Sequence, residues 1–242
     1  MLPSTKPTTV WPIMPKRLPT TLGFKRYALH LDGIDDYVEV PHSDSINPTE
    51  AITISVLIFP TKLGVVNPIV EKYPASSPYP GYGFRIGSDN ELMYWSSEHG
   101  SWVSLPCVIS EANRWYHVAI SVGADGKVHT YLNGEYKGYA SSKPPGYGTS
   151  NLMVGTNGDL KRTYFNGLIA LVRIYNRPLS QEEIKWNTLN YHSPVRDGLV
   201  LWLYDKIVGD TWYDESPYNN NGTIYGAVRK ELAMWEIRAS IL

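Results

Sequence analysis

Period-two alternation of apolar and polar positions recurs along this chain from Tyr27 onward, and it predicts short β-strands rather than helices. Ahead of an acidic turn, Ala28 and His30 alternate with Leu29 and Leu31; behind it, Tyr37 and Glu39 alternate with Val38 and Val40. The turn itself, Asp32-Gly33-Ile34-Asp35-Asp36, offers a glycine where the chain must reverse and Asp side chains able to bond its own amides. A hairpin is therefore predicted there. Farther on, Ile52, Ile54, Val56 and Ile58 point to one face of a strand and Thr53, Ser55, Leu57 and Phe59 to the other. Strands are also predicted over residues 84–86, 92–96, 102–105 and 152–155. A second hairpin joins 115–122 to 128–132 through Gly123-Ala124-Asp125-Gly126.

One helix is signalled, over residues 180–189. Ser180 as N-cap with Glu183 three residues on forms a capping box, and Leu179 against Ile184 forms a hydrophobic staple. Before the first strand, Pro3, Pro7, Pro12, Pro15 and Pro19 stand among Thr and Lys. They block helix and sheet ladders and predict an extended arm over residues 1–24. At the other end, Ala233, Trp235, Ile237, Ala239 and Ile241 alternate with Met234, Glu236, Arg238 and Ser240, which predicts a terminal strand.

The segment YALHLDGIDDYVEVP, from Tyr27 to Pro41, resembles the opening signature of the laminin-G-like, or concanavalin A-like, jelly-roll domains. Three further blocks resemble that family in the same order: AITISVLIFP, WYHVAISVGADGKVHTYLNG and FNGLIALVRIYNRPLSQEEI. The resemblance implies an all-β, two-sheet antiparallel jelly-roll sandwich over residues 25–192, with the short helix after RIYNRPLS. In related domains a segment like DGLVLWLYDKIVGDTWYDESPYNNNGTIYG precedes the ALxFDG block, whereas here it occupies residues 197–226. Residues 193–242 thus form a C-terminal strand extension. It either fills its usual place in the same sheets by circular permutation, docks on a neighbouring subunit, or packs along the outside of the body.

Composition narrows the function. A formal net charge of -1, from 22 basic and 23 acidic residues interspersed, leaves no footprint for a phosphate backbone or an anionic membrane surface. Neither nucleic acid nor membrane insertion is expected. No run reaches the roughly 18 apolar residues of a bilayer span, and the N-terminal stretch lacks the apolar core of a secretory signal. The single cysteine, Cys107 between Leu105 and Val108, reads as a small buried apolar residue. Aromatics stand out: 18 Tyr and 8 Trp against 4 Phe, rings suited both to sandwich cores and to contact surfaces.

The resemblance also implies a structural calcium between the opening DG turn and an Asp in the later GxIDxVRIY motif. Asp32 matches the first place, but Ala170 stands at the second, where it offers no side-chain oxygen. No cofactor is therefore expected, and Asp32, Asp35 and Asp36 are read as turn-stabilising, with Asp32 the remaining candidate metal ligand. Retaining glycosidases use paired carboxylates about 5 Å apart. The ExDxxE strand pattern of the superfamily's enzymes is absent, and Glu182, Glu183, Glu231 and Glu236 lack the spacing. His30, His42, His99, His117, His129 and His192 show no ligand spacing, and no catalytic residue is assigned. Arg173, Asn176 and Arg177 are read as holding the last family strand and its exit.

Sugar binding has its own candidates. Flat rings can bury the apolar face of a pyranose, and Tyr79, Tyr82, Trp95 and Trp102 lie in or beside mid-chain loops, where core packing or subunit contact is the first reading and sugar binding the second; Trp115 is assigned to the core. The loop YPASSPYPGYG, residues 73–83, is too rich in proline and tyrosine to be a passive linker. Two functions compete. The leading expectation is a non-enzymatic structural component of a virion or filament, self-associating through the arm and the C-terminal strands and placed on a virion or extracellular surface. The other is a carbohydrate-binding or adhesion module with glycan partners; a divergent glycan-active enzyme stands behind both.

Overall fold

The computed structural model describes residues 26–232 and 234–241. The arm expected over residues 1–24 lies outside them. The chain opens with β1 (Arg26–Asp32), β2 (Tyr37–Val40), β3 (Ile52–Pro60), β4 (Asn67–Lys72) and β5 (Tyr82–Ile86). It continues through β6 (Glu91–Ser96), β7 (Ser101–Val108), β8 (Tyr116–Val122), β9 (Lys127–Leu132), β10 (Glu135–Ser141), β11 (Leu152–Val154) and β12 (Asn166–Tyr175). Helix α1 (Gln181–Leu189) precedes β13 (Leu199–Val208), β14 (Thr211–Asp214), β15 (Gly222–Tyr225), β16 (Val228–Leu232) and α2 (Met234–Ile241).

All described pairings are antiparallel, as a jelly roll requires. One layer runs β10-β9-β8-β3-β12, with β1 and β13 sharing the other edge of β12 and β16 beyond β1. The other layer runs β15-β2-β11-β4-β5-β6-β7, and the β13–β14 pair links the two. Between them lies an apolar core to which Ile54 and Val56 of β3 and Phe84 and Tyr94 from the opposite layer contribute. A second cluster covers the outside of the first layer, where Leu57, Ala170, Leu171 and Trp115 meet Ile184 of α1 and Ile237 and Ile241 of α2. The first layer is thus buried on both faces, which is why β3 reads as a nearly continuous apolar run.

The strand alternation of the second layer consequently sorts buried from available side chains. Leu92 and Tyr94 of β6 are fully buried, while Met93 and Trp95 turn outward. Tyr82, Phe84 and Ile86 of β5 point in and Gly83 and Arg85 point out.

Three expectations need correction or completion. First, β1 and β2 form no hairpin: β1 pairs with β12 and β16, and β2 with β11 and β15. The acidic turn instead carries the chain from one layer to the other, because Leu29 and Leu31 and then Val38 and Val40 all insert into the same core from opposite sides. Second, residues 234–241 form a helix rather than a strand. Ile237 and Ile241, one helical turn apart, are buried together, and Met, Glu, Arg and Ala favour the helix. Third, β13, β14 and β15 pair within their own chain, closing the gap between β12 and β2. The helix over residues 181–189 forms with its capping box intact, and Leu179 and Ile184 are both buried.

Candidate functional site

Four neighbouring strands bring the outward-facing residues of the second layer into one row. Register sets Glu71 opposite Gly83, Gly83 opposite Trp95 and Trp95 opposite Trp102. Arg85 follows Gly83 on the same face of β5, and Tyr73 follows Glu71 just beyond β4. The loop over residues 73–83 folds back so that the Trp95 Nε1–H donates to the Tyr79 carbonyl at 3.2 Å. The result is a cleft of about 290 Å³ lined by Tyr73, Tyr79, Arg85, Trp95, Trp102 and Asn157.

The rings stand as walls rather than as a stack. Tyr79 meets Trp95 edge-on at 6.3 Å and 84°, Tyr73 meets Tyr79 at 6.0 Å and 80°, and Trp95 and Trp102 lie 6.0 Å apart tilted by 46°. Tyr79 is 37% exposed, so its ring is presented to solvent at the rim. Asn157 is held by accepting at its Oδ1 from the Arg162 and Thr163 amides at 2.8 and 3.0 Å. Its Nδ2 makes no hydrogen bond among the described residues.

The charged floor is unusual. The Arg85 guanidinium carbon lies 3.5 Å from the centroid of a Trp102 ring, a close cation–π contact. Glu71 beneath it is fully buried, and Tyr73 donates its phenolic hydroxyl to Glu71 Oε2. Burial pushes the Glu71 carboxyl up to about 8, against the opposing pull of the Tyr73 hydrogen bond and the Arg85 charge. Burial also lowers the Arg85 guanidinium from its ordinary value. Burial and the neighbouring Glu71 raise the Tyr73 phenol.

Three of the four sequence candidates, Tyr79, Trp95 and Trp102, therefore meet in one cleft. Tyr82 does not belong with them: it is fully buried, and its hydroxyl donates to the Ile46 carbonyl at 2.9 Å. It lies on the inward phase of β5, one residue out of step with Gly83 and Arg85. Tyr73, Arg85 and Asn157 join the site instead. Arg85 was reachable from the alternation of β5; Asn157 carries no local signal, because only the packing of its loop against Tyr73 places it there, with Asp159 donating its amide to the Tyr73 carbonyl.

None of the other candidates lines the cleft. Asp32, Asp35 and Asp36 have carboxylate oxygens within 4.8 Å of one another. Asp32 Oδ1 accepts from the Ile34 amide and Asp36 Oδ2 from the Asp32 amide, while Asp36 Oδ1 packs against Gly226. Ala170 is fully buried in the cluster beneath the helices. These residues do not fit the calcium site of related domains: the second ligand position is apolar core, and amides of the turn engage the Asp32 and Asp36 carboxylates. His117, fully buried, meets Ser55 at Nε2 and Thr188 at Nδ1. Arg173, also fully buried, donates to the Asn187 and Tyr191 carbonyls and so holds the end of α1. Cys107 is buried, and burial pushes its thiol up to about 11.

The concanavalin A-like lectin/glucanases superfamily model matches residues 32–185, which includes the strands that build the cleft. The chain belongs to this superfamily. No curated protein sequence matches it. Among solved structures, it is similar to a Bacteroides ovatus protein provisionally described as carbohydrate-binding, with a TM-score of 0.66 and 21% identity, over 86% of this chain and 60% of that one. A heptameric SAP-like pentraxin from Limulus polyphemus matches with a TM-score of 0.63 and 14% identity, over 88% of this chain and 99% of the pentraxin. A Ruminococcus gnavus sialidase module, CBM40, bound to α2,3-sialyllactose matches with a TM-score of 0.55 and 14% identity, over 68% of this chain and 98% of the module. These likenesses are of fold. The chain of this superfamily member spans 60% of the Bacteroides protein's length.

Proposed function

We propose that this superfamily member is a carbohydrate-binding module whose receptor is the aromatic cleft on the outer face of the second layer. The observation that carries the reading is the convergence of Tyr73, Tyr79, Trp95 and Trp102 on one solvent-accessible cleft beside two polar groups, Arg85 and Asn157. Rings exclude water from the C–H face of a pyranose, and the amide and guanidinium offer donors to its oxygens. The fold likeness to a sialyllactose-bound module supports the reading. Among the described residues no Asp or Glu lines the cleft surface, Glu71 lying fully buried behind it, and binding rather than bond cleavage is the proposed role. Glycans of this kind are met at cell and particle surfaces, which is where the module is proposed to act.

Glycan-array screening followed by calorimetry tests it. A glycan should bind, and Trp95→Ala should weaken that glycan by at least about tenfold, or roughly 1.4 kcal/mol. Absence of any glycan ligand, or a ligand whose affinity ignores Trp95, sinks the reading. The assembly alternative is not carried further, since the arm it invokes lies outside the described residues.

A further inference from the structure

We propose that the cleft selects acidic saccharides, and that Arg85 is the residue that receives a sugar carboxylate. The inference rests on the carbohydrate-binding reading and names the ligand class within it.

Its basis is an arginine with donors and no partner. Arg85 makes no hydrogen bond and no ion pair among the described residues, and its Nε is both buried and unsatisfied. A buried donor without a partner carries a desolvation cost. The other arginines that are not exposed have hydrogen-bond partners at their terminal nitrogens: Arg173 the carbonyls at the end of α1, although its Nε too is buried without a partner, Arg26 the Asp205 carboxylate, and Arg177 the Glu183 carboxylate at 2.6 and 3.0 Å.

Arg85 also lines the cleft and is held there. The guanidinium carbon rests 3.5 Å from the centroid of a Trp102 ring, and Gly83 leaves the room for that ring. A planar guanidinium held this way can offer two parallel N–H groups to a carboxylate, the geometry in which arginine outperforms lysine. The neighbouring acid, Glu71, makes no ion pair with Arg85: its Oε2 accepts from Tyr73, its Oε1 is buried without a partner, and neither oxygen lies within 4.0 Å of an Arg85 nitrogen. Burial favours its neutral form at neutral pH, so the positive charge of Arg85 remains uncompensated. The rings would cover the sugar's apolar face while the carboxylate meets Arg85, and the Asn157 Nδ2 is left to donate to a hydroxyl.

The test uses matched probes on the full chain: 3′-sialyllactose against lactose, and tetragalacturonate against its carboxyl-reduced counterpart, each titrated by calorimetry in low salt. The expected result is that at least one acidic probe binds at least about tenfold tighter than its neutral partner, and that the ratio collapses towards one in Arg85→Gln. Which pair shows the difference separates nonulosonic from uronic acids. A sulfated lactose that binds as tightly as any carboxylate would overturn the carboxylate assignment. Equal binding of acidic and neutral probes overturns acidic selection while leaving the carbohydrate-binding reading intact; no binding of any saccharide, here or on an array, removes both. Thermal melting of Arg85→Gln and Arg85→Lys guards against misfolding. Lysine should retain part of the preference, whereas a purely structural Arg85 would give the same ratio in all three proteins.

Discussion

Gly83 and Trp102 sit so close across two strands that a Cβ on the glycine would stand 2.8 Å from the Trp102 Cη2. The glycine's φ lies outside the left-handed region, so alanine fits the backbone there, and what it displaces is the indole. Gly83→Ala should therefore keep the fold but push Trp102, and with it Arg85, off position. The expected outcome is a melting temperature within a few degrees of wild type, a shifted tryptophan emission, and saccharide affinity reduced several-fold. Unchanged affinity would show that Trp102 placement does not matter to binding.

Glu71 beneath Arg85 gives the cleft a pH dependence. Its carboxyl, pushed up to about 8 by burial, faces Tyr73 and Arg85. Below that value it is neutral and Arg85 keeps its full attraction for an anion; above it, ionised Glu71 competes for the same charge. Affinity for an acidic saccharide should thus hold steady from pH 6 to 7.5 and fall several-fold by pH 9.5, with Glu71→Gln removing the decline. Calorimetry across that range reads it directly, and a flat wild-type profile contradicts it.

The sandwich was legible because its strands alternate and because four motif blocks fall in order; the elements that escaped notice break those rules. β4 contains Pro68 and ends in Glu71-Lys72, yet every residue in it is buried, since a bulge absorbs the proline, Lys72 donates to the Gly148 and Ser150 carbonyls and Tyr73 donates to Glu71. β10 is almost wholly polar and exposed, an edge strand with little hydrophobic pattern to read. The β1–β2 hairpin failed for the opposite reason: alternation shows that two strands exist but not which layer each joins. At the cleft, loop aromatics were visible as a composition, whereas Tyr82 and Arg85 exchanged roles because the phase of β5 is set by long-range packing.

His117 should make the fold sensitive to acid. Its imidazole, fully buried beside Arg173, is lowered to about 3, chiefly by burial, from an ordinary value of 6.5. The unfolded chain therefore binds a proton that the folded chain refuses between those values. The stability is whole above pH 6.5 and drains as pH falls towards 3. Between pH 6.5 and 4.5 this one group costs roughly 2–3 kcal/mol. Urea denaturation should show His117→Gln less stable at pH 7 but flatter by about one proton over that interval; parallel slopes would count against it.

Helix α1 depends on a reciprocal cap. Ser180 Oγ accepts from the Glu183 amide and Glu183 Oε2 accepts from the Ser180 amide, while Arg177 holds the same carboxylate. Ser180→Ala removes one of these bonds and should cost about 1 kcal/mol in chemical denaturation. Ser180→Asp, which restores an acceptor, should recover most of it. Saccharide binding should not change in either variant, because α1 covers the first layer and the cleft lies on the second.

The displaced C-terminal strands supply the last test, because their pairing within the chain makes them part of the same core. Trp212 of β14 is fully buried, and its Nε1 donates to the Tyr204 carbonyl at 2.8 Å across the β13–β14 pair that joins the layers. Were these strands peripheral, trimming Trp212 would cost little. In the closed sandwich, Trp212→Ala leaves a cavity between the layers and an unsatisfied carbonyl, a loss of about 3–5 kcal/mol. The melting transition should remain single, since β13 to β15 bridge β12 to β2, so the strands and the cleft-bearing layer unfold together. Two separated transitions in calorimetry, or a cost below about 1 kcal/mol, would mean that β14 rides on the body instead of closing it.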